Sequence, residues 1–407
     1  MAIAHANLDP PARTAAESLY FNLTVAAVVL TALCLGAYAL TARPPFDSAG
    51  YLIGRDFMNT WLGGRIALAG DPAKYFDHDA YNALLRALFG PNFPLHNWSY
   101  PPHLLLFTWP FGLMPYLAAY ALWCAAGLAV FLLAAANGER RVERLLFLAL
   151  APAAVINLLI GQNGFFLAAI LIAALVQLDR RPILAGVLFG LLSLKPQLGL
   201  LVPLMLALTG RWRTIIAAAA TAAALAAAAA AAFGPQVWID YVKIAAPLHR
   251  HVIEYDTGLF VAMMPTAFMN MRVLNLGPQI AWAVQGAVSL AAIAAVVWAY
   301  WRPRDPTLST ALFVTASFLA TPYAYNYDMV VFGWLILLLR DRSDNAMLDH
   351  RLALAVWTLP LTTFLGLYGI PGSALVLAAF AVRLVVRLAR AGAQSSPRAQ
   401  LLPAAAP

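Results

Sequence analysis

The chain has 407 residues, of which 62% are hydrophobic and only 11% are charged, whereas average soluble domains carry about 25% charged residues. This composition excludes a soluble fold. The formal net charge of +8 does not mark a nucleic-acid binder, because the basic residues sit in short clusters between apolar runs, as membrane topology requires; no nucleic-acid partner is expected.

Apolar runs recur along nearly the whole length. They are longer than barrel strands and lack the alternating polar positions of an outer-membrane barrel, so the expected class is an all-α polytopic membrane protein. The first run, residues 20–40, is too long for a signal-peptide core. Thr41-Ala42-Arg43-Pro44-Pro45 after it is a poor cleavage site, so it reads as a retained helix. Further runs lie at 115–136, 145–160, 164–178, 183–194, 198–209, 215–233, 278–301, 307–321, 328–340, 352–368 and 372–388, which makes about twelve crossings with the first. The piece 103–114 is also apolar, but counting it would reverse the side of every later loop, and it reads as re-entrant or interfacial.

Runs 183–194 and 198–209 reach only about 18 Å, and 164–178 about 22 Å, against a hydrocarbon core of about 30 Å. Their outer ends are therefore expected below the membrane surface, in a protein-lined cavity. Residues 183–209 read as a hairpin, because one helix kinked at Pro196 would put Arg180 and Arg181 on the opposite side from Arg211 and Arg213. The stretch 217–232 is alanine except for Thr221 and Leu225, which suits close helix packing. Residues 1–390 are expected to form one integral membrane domain, and 391–407 a disordered cytoplasmic tail.

Every second connection is basic. Arg13, the clusters at 140–144, 180–181, 211–213, 302–304 and 340–351, and the C-terminal arginines account for 17 of the 26 Lys and Arg residues. That places them and both termini in the cytoplasm and makes the two long loops, 42–102 and 234–276, external. The first loop should carry short helices near 65–68 and 79–89. The alanine-rich composition fits a high-GC bacterium, whose cytoplasmic membrane would be the site. Cys34 and Cys124 both fall in apolar runs and suggest neither a disulfide nor a metal framework.

Polar residues outside the cytoplasmic clusters are the informative ones, because they are costly near lipid. Asp56, in Gly54-Arg55-Asp56-Phe57, is a candidate general base, since partial desolvation raises a carboxylate pKa toward working pH; the plainer reading pairs it with Arg55 or makes it a helix cap. Asp71, Asp77 and Asp79 look like caps and turn residues. Tyr100-Pro101-Pro102-His103 makes a rigid extended lead into the next apolar piece, with Tyr100 and His103 at the interface. Lys195, the only charged residue between Arg181 and Arg211, sits at the recessed hairpin turn Ser193-Leu194-Lys195-Pro196-Gln197. It either meets an anion such as a lipid phosphate or snorkels to the surface. The turn Gly161-Gln162-Asn163-Gly164 offers two amides that either hold sugar hydroxyls or only shape the turn. In Tyr325-Asn326-Tyr327-Asp328, the aspartate pairs with Lys195 or a loop arginine, or caps the following helix. No histidine spacing matches a strong metal motif, and no metal or other cofactor is expected.

The order of these motifs, with Leu68-Ala69-Gly70-Asp71-Pro72-Ala73-Lys74-Tyr75-Phe76-Asp77 after Arg-Asp-Phe, then Tyr-Pro-Pro, Gly-Gln-Asn, Ala185-Gly186, Lys-Pro-Gln and Tyr-Asn-Tyr-Asp, resembles glycosyltransferase family 87, of the GT-C class of polytopic enzymes, over about residues 20 to 390. The resemblance implies a GT-C-type helical bundle. It also implies transfer of a sugar, typically mannose, from a polyprenyl-phosphate donor to a glycan or glycolipid on the external side. In GT-C enzymes the general base is usually an acidic residue of the first external loop, which is Asp56 here. Lys195, with Arg55, would hold the donor phosphate, and Tyr100, His103, Gln162, Asn163, Gln197, Asn326, Tyr327 and Asp328 would line the substrates. From about residue 391 the sequence is expected to form only a tail, in place of the soluble C-terminal domain of a complete GT-C plan.

Two other classes compete. A transporter or flippase of lipid-linked sugars would put charged or broken helices near the midplane in both halves, whereas here polar residues gather at one face. A glycan ligase or polymerase with a diphosphate-linked donor would need Arg55, Arg250 or Arg272 to join Lys195.

Overall fold

The computed structural model describes residues 14–394 except 99, 137, 303, 341 and 343. Among them the chain is helical throughout, with two isolated β-bridges near residues 43–52 as its only extended pairing. The helices are, in order, α1 (Ala15–Thr41), α2 (Phe57–Ala69), α3 (His78–Phe89), α4 (Leu105–Gly112), α5 (Tyr116–Ala136), α6 (Val142–Ala149), α7 (Pro152–Ile160), α8 (Gly164–Gln177), α9 (Pro182–Leu191) and α10 (Val202–Leu208). They continue with α11 (Trp212–Phe233), α12 (Gln236–Asp240), α13 (Ala246–Tyr255), α14 (Leu259–Ala262), α15 (Ala267–Val273), α16 (Pro278–Tyr300), α17 (Pro306–Ala320), α18 (Val330–Arg340), α19 (Met347–Thr362) and α20 (Ser373–Gln394).

Each of the twelve apolar runs is helical. Five helical stretches, α1, α5, α11, α16 and the one from Met347 to Tyr368, are long and apolar enough to cross a membrane, and α6 with α7, bent by 56°, makes a sixth candidate. The helices α8, α17 and those on either side of Lys195 are shorter. The chain is thus an all-α polytopic membrane protein. The C-terminal helix runs to Gln394, three residues past the expected start of the tail; residues 395–407 lie outside the described residues.

The two short helices expected in the first long loop are α2 and α3, but α2 is not a surface helix, since Phe57 to Gly64 and Ile66 are buried against the bundle. The Asp77 side chain caps α3 by accepting from the Ala80 amide at 3.0 Å. The apolar piece 103–114 forms α4, eight residues and so about 12 Å long, too short to span. It packs against α2 through facing glycines: a Cβ on Gly64 would lie 2.4 Å from the Thr108 carbonyl oxygen, and one on Gly112 would lie 2.5 Å from the Arg65 nitrogen. Only glycine permits that approach, which fixes how the residues after Asp56 sit on the bundle.

The hairpin expected over 183–209 is present. Arg211 donates to the Leu178 carbonyl at 3.1 Å and pairs with Asp179, so the connections before α9 and after α10 meet at one end, while Lys195 occupies the turn between them. The other basic connections also pair among themselves: Arg342 with Asp305 and Asp344 at 2.9 and 2.8 Å, and Arg387 with Asp344 at 2.9 Å. Among the described residues, basic connections thus meet one another in two local groups.

Candidate active site

The connections opposite the basic ones converge on a cavity of about 540 Å³, within the size range of small-ligand sites. Its wall takes Asp56 from the start of α2, Tyr100 from the segment before α4, and Gln162 from the α7–α8 turn. Lys195 and Gln197 come from the α9–α10 turn, and Tyr323, Tyr325 and Tyr327 from the α17–α18 turn. The second long loop adds Tyr241, His249, Asp256 and Phe260.

Asp56 neither caps α2 through its side chain nor pairs with Arg55. Its Oδ2 accepts from the Gln162 amide nitrogen at 2.6 Å, and Gln162 Oε1 accepts from the Tyr100 hydroxyl at 2.6 Å. Burial and the nearby Asp56 carboxylate hold the Tyr100 phenol well above its ordinary pKa, so it stays a donor. The backbone fixes this meeting too, since the Asp56 amide donates to the Ile160 carbonyl at 3.0 Å. Gly161 makes the turn with φ of +66°, and a Cβ there would lie 2.4 Å from Phe57 Cβ.

Lys195 is buried and donates to Asp328 Oδ1 at 2.6 Å. Its ammonium also stands 4.8 Å from the centre of the Tyr327 ring, a favourable cation–π distance. Asp328 thus takes the pairing with Lys195 and does not cap α18: its other oxygen accepts from the Tyr325 amide, three residues back, at 3.0 Å and closes the short turn that leads into α18. Tyr325 and Tyr327 stack 4.8 Å apart and carry the polar turn into the cavity wall.

The remaining expected residues are placed elsewhere. Arg55 donates to Asp47 at 2.9 Å and faces a second, apolar cavity of about 510 Å³ between α1, α7 and α19. His103 bonds Ser193 at 3.1 Å and stacks on Trp238, away from the first cavity. Asn326 is fully buried and ties its turn to the Pro360 carbonyl at 3.1 Å and Thr363 at 3.2 Å. Asn163 is buried beside the cavity without lining it.

Sequence reasoning missed several cavity residues. His249 packs edge-on against Tyr323 at 4.2 Å, and burial together with Lys195 lowers its pKa to about 4, so it stays neutral near pH 7. Asn59 lines the wall while its oxygen accepts from the Tyr81 hydroxyl at 2.5 Å. The helical spacing of Asp56 and Asn59 was the available signal for Asn59. For His249 there was none, because its loop has no motif. Among the described residues no three His, Cys, Asp or Glu side chains converge on one point.

The arrangement puts a carboxylate, a cation and several aromatic and amide surfaces around one space. Such a site can take a proton from a hydroxyl and hold an anionic leaving group. A family model for glycosyltransferase family 87 matches residues 98–322, more than half of the chain. The chain belongs to glycosyltransferase family 87. It is therefore a membrane glycosyltransferase. The matched span contains Tyr100, Gln162, Lys195 and His249, and Asp56 and Asp328 lie outside it. No curated protein and no solved structure matches the chain.

Proposed function

We propose that this glycosyltransferase moves a hexose, mannose in the first instance, from a polyprenyl-phosphate donor to a hydroxyl of a glycan or glycolipid on the external face of a bacterial cytoplasmic membrane, with both termini in the cytoplasm. The observation that carries this reading is that Asp56 and Lys195 line the same cavity. Asp56 takes the proton of the acceptor hydroxyl, and that oxygen attacks the anomeric carbon. The bond to the phosphate oxygen breaks, its electron pair stays on the phosphate, and Lys195 stands beside the charge so formed. One displacement of this kind inverts the anomeric centre.

The charge inventory favours a monophosphate-linked donor over a diphosphate-linked one. Among the described lining residues Lys195 is the only lysine or arginine. The three arginines that a diphosphate would enlist are engaged elsewhere: Arg55 with Asp47, Arg250 with Glu254 at 2.9 Å, and Arg272 with the Asp256 carbonyl at 2.8 Å. His249, uncharged at neutral pH, does not add a second cation.

The testing experiment offers membranes carrying the protein a labelled sugar on polyprenyl phosphate or on polyprenyl diphosphate. Transfer from the monophosphate donor alone is expected. Transfer from the diphosphate donor alone, or movement of the intact lipid-linked sugar across the bilayer without transfer, would refute the reading.

A further inference from the structure

We infer that Gln162, held by Tyr100, is the positioning residue that aims the Asp56 carboxylate, and that this, more than sugar binding, is what the two side chains contribute to transfer. This inference rests on the proposed role of Asp56 as the base.

The direction of each hydrogen bond in the chain is forced. Asp56 offers only acceptors, so the Gln162 side chain must turn its NH₂ toward Oδ2 at 2.6 Å. Its carbonyl then faces Tyr100, whose hydroxyl supplies the proton of the second bond at 2.6 Å. The phenol is held protonated by burial and by Asp56, so it does not give up that role near neutral pH. The amide is thus oriented at both ends and cannot flip without losing two bonds. An amide does not pass protons between its two ends under such conditions, so the chain orients and does not relay.

The backbone of Gln162 is anchored as firmly as its side chain. The Trp123 ring N–H donates to its carbonyl at 3.2 Å, and its own N–H donates to the Asn157 carbonyl at 3.2 Å. The preceding Gly161 lies against Phe57 and the Ile160 carbonyl takes the Asp56 amide. Two turns distant in sequence are thereby fixed relative to one another, and the carboxylate is locked in the same frame. With Oδ2 so engaged, no donor among the described residues reaches Oδ1, and Oδ1 is the oxygen left to take the acceptor proton. Gln162 and Tyr100 each give a hydrogen bond to the chain that ends on Asp56, which leaves a sugar only the second amide N–H and the remaining lone pairs.

The diagnostic variant is Gln162→Glu, which keeps the shape and replaces the amide donor by a second carboxylate at the same 2.6 Å separation. Two carboxylates that close share a proton, and their coupled titration moves the pKa of the pair's last proton upward. The other ionisable groups facing Asp56 are Tyr100, Tyr323 and Tyr325; the Lys195–Asp328 pair, Asp256, His96 and His249 share its cavity, Tyr116 packs below, and the Arg55–Asp47 pair lies behind. None is changed by the substitution.

The experiment measures kcat and KM for sugar transfer against pH in wild type, Gln162→Glu, Gln162→Ala, Tyr100→Phe and Asp56→Asn, at matched levels in membranes. The acid limb of the kcat profile is expected to move up by about one pH unit or more in Gln162→Glu. For Gln162→Ala, kcat should fall about 10- to 100-fold with KM nearly unchanged, and for Tyr100→Phe about 3- to 10-fold. Tyr100→Phe serves alone if Gln162→Glu does not reach the membrane. An unmoved acid limb in Gln162→Glu, or a rise in KM with kcat retained in Gln162→Ala or Tyr100→Phe, overturns the inference and makes these residues sugar ligands. If Asp56→Asn loses activity while the limb stays put, positioning alone fails. If Asp56→Asn keeps its rate, the base assignment fails and the positioning role falls with it.

Discussion

Replacing Lys195 by alanine separates the structural from the catalytic work of the buried ion pair. Lys195 and Asp328 meet at 2.6 Å with side chains 4% and 0% exposed. Removing one partner of a buried pair costs about 3–5 kcal/mol, because the other charge is left without compensation. The two halves are not equivalent here. Lys195 lines the cavity, so in Asp328→Asn the ammonium keeps access to cavity water and to the Tyr327 ring at 4.8 Å. Asp328 does not line the cavity; in Lys195→Ala its carboxylate retains only the Tyr325 amide at 3.0 Å. Lys195→Ala is therefore expected to lose about 3–5 kcal/mol and Asp328→Asn distinctly less, while Lys195→Met with Asp328→Asn recovers most of the loss because no lone charge remains. Thermal unfolding of the four proteins in one detergent, alongside sugar transfer in membranes, reads both quantities. The double variant should be stable and inactive. Equal destabilisation by both single changes, or transfer at the wild-type rate in the stable double variant, would refute the reasoning.

Two further outcomes follow from the same geometry. Gly161→Ala forces a Cβ to 2.4 Å from Phe57 Cβ at a φ of +66°; it should lower stability by more than the roughly 1 kcal/mol of a left-handed alanine and reduce transfer by tilting Asp56, both read on purified protein. His249 has its pKa lowered from 6.5 to about 4, so between those values the unfolded chain binds the proton and the folded chain does not. Its contribution is intact above pH 6.5 and is lost as pH falls toward 4, and the drop in thermal midpoint over that window should be smaller in His249→Gln.

Much of the fold was legible because it rests on composition and charge order. The twelve apolar runs, the short helices in the first loop, the non-spanning α4 and the Lys195 hairpin all follow from run length and from which connections carry arginine. The pairing within the site was less legible. Lys195 with Asp328 was one of several partners that the residue types allowed, and they lie 133 positions apart. Arg55 shows the limit most clearly: beside Asp56 in sequence, it points into the other cavity, because Asp47 sits on the loop behind it and accepts two of its N–H groups, at 3.3 and 2.9 Å. Adjacent residues at the start of a helix leave it in different directions, and only the course of the loop decides which faces the substrate. The second long loop gave no motif at all. Its short helices bring His249 and Phe260 to the cavity by packing on the tyrosine turn, and Tyr241 by packing on Phe76 and Trp238, which is tertiary information.

The central claim is that Asp56 is the base of a sugar transfer in the cavity it shares with Lys195. Transfer of labelled mannose from polyprenyl-phosphate mannose, in membranes matched for wild type and Asp56→Asn, tests it most directly. A loss of about 100-fold or more in rate with the variant still folded is the predicted result; a folded Asp56→Asn protein that transfers at the wild-type rate would contradict the account.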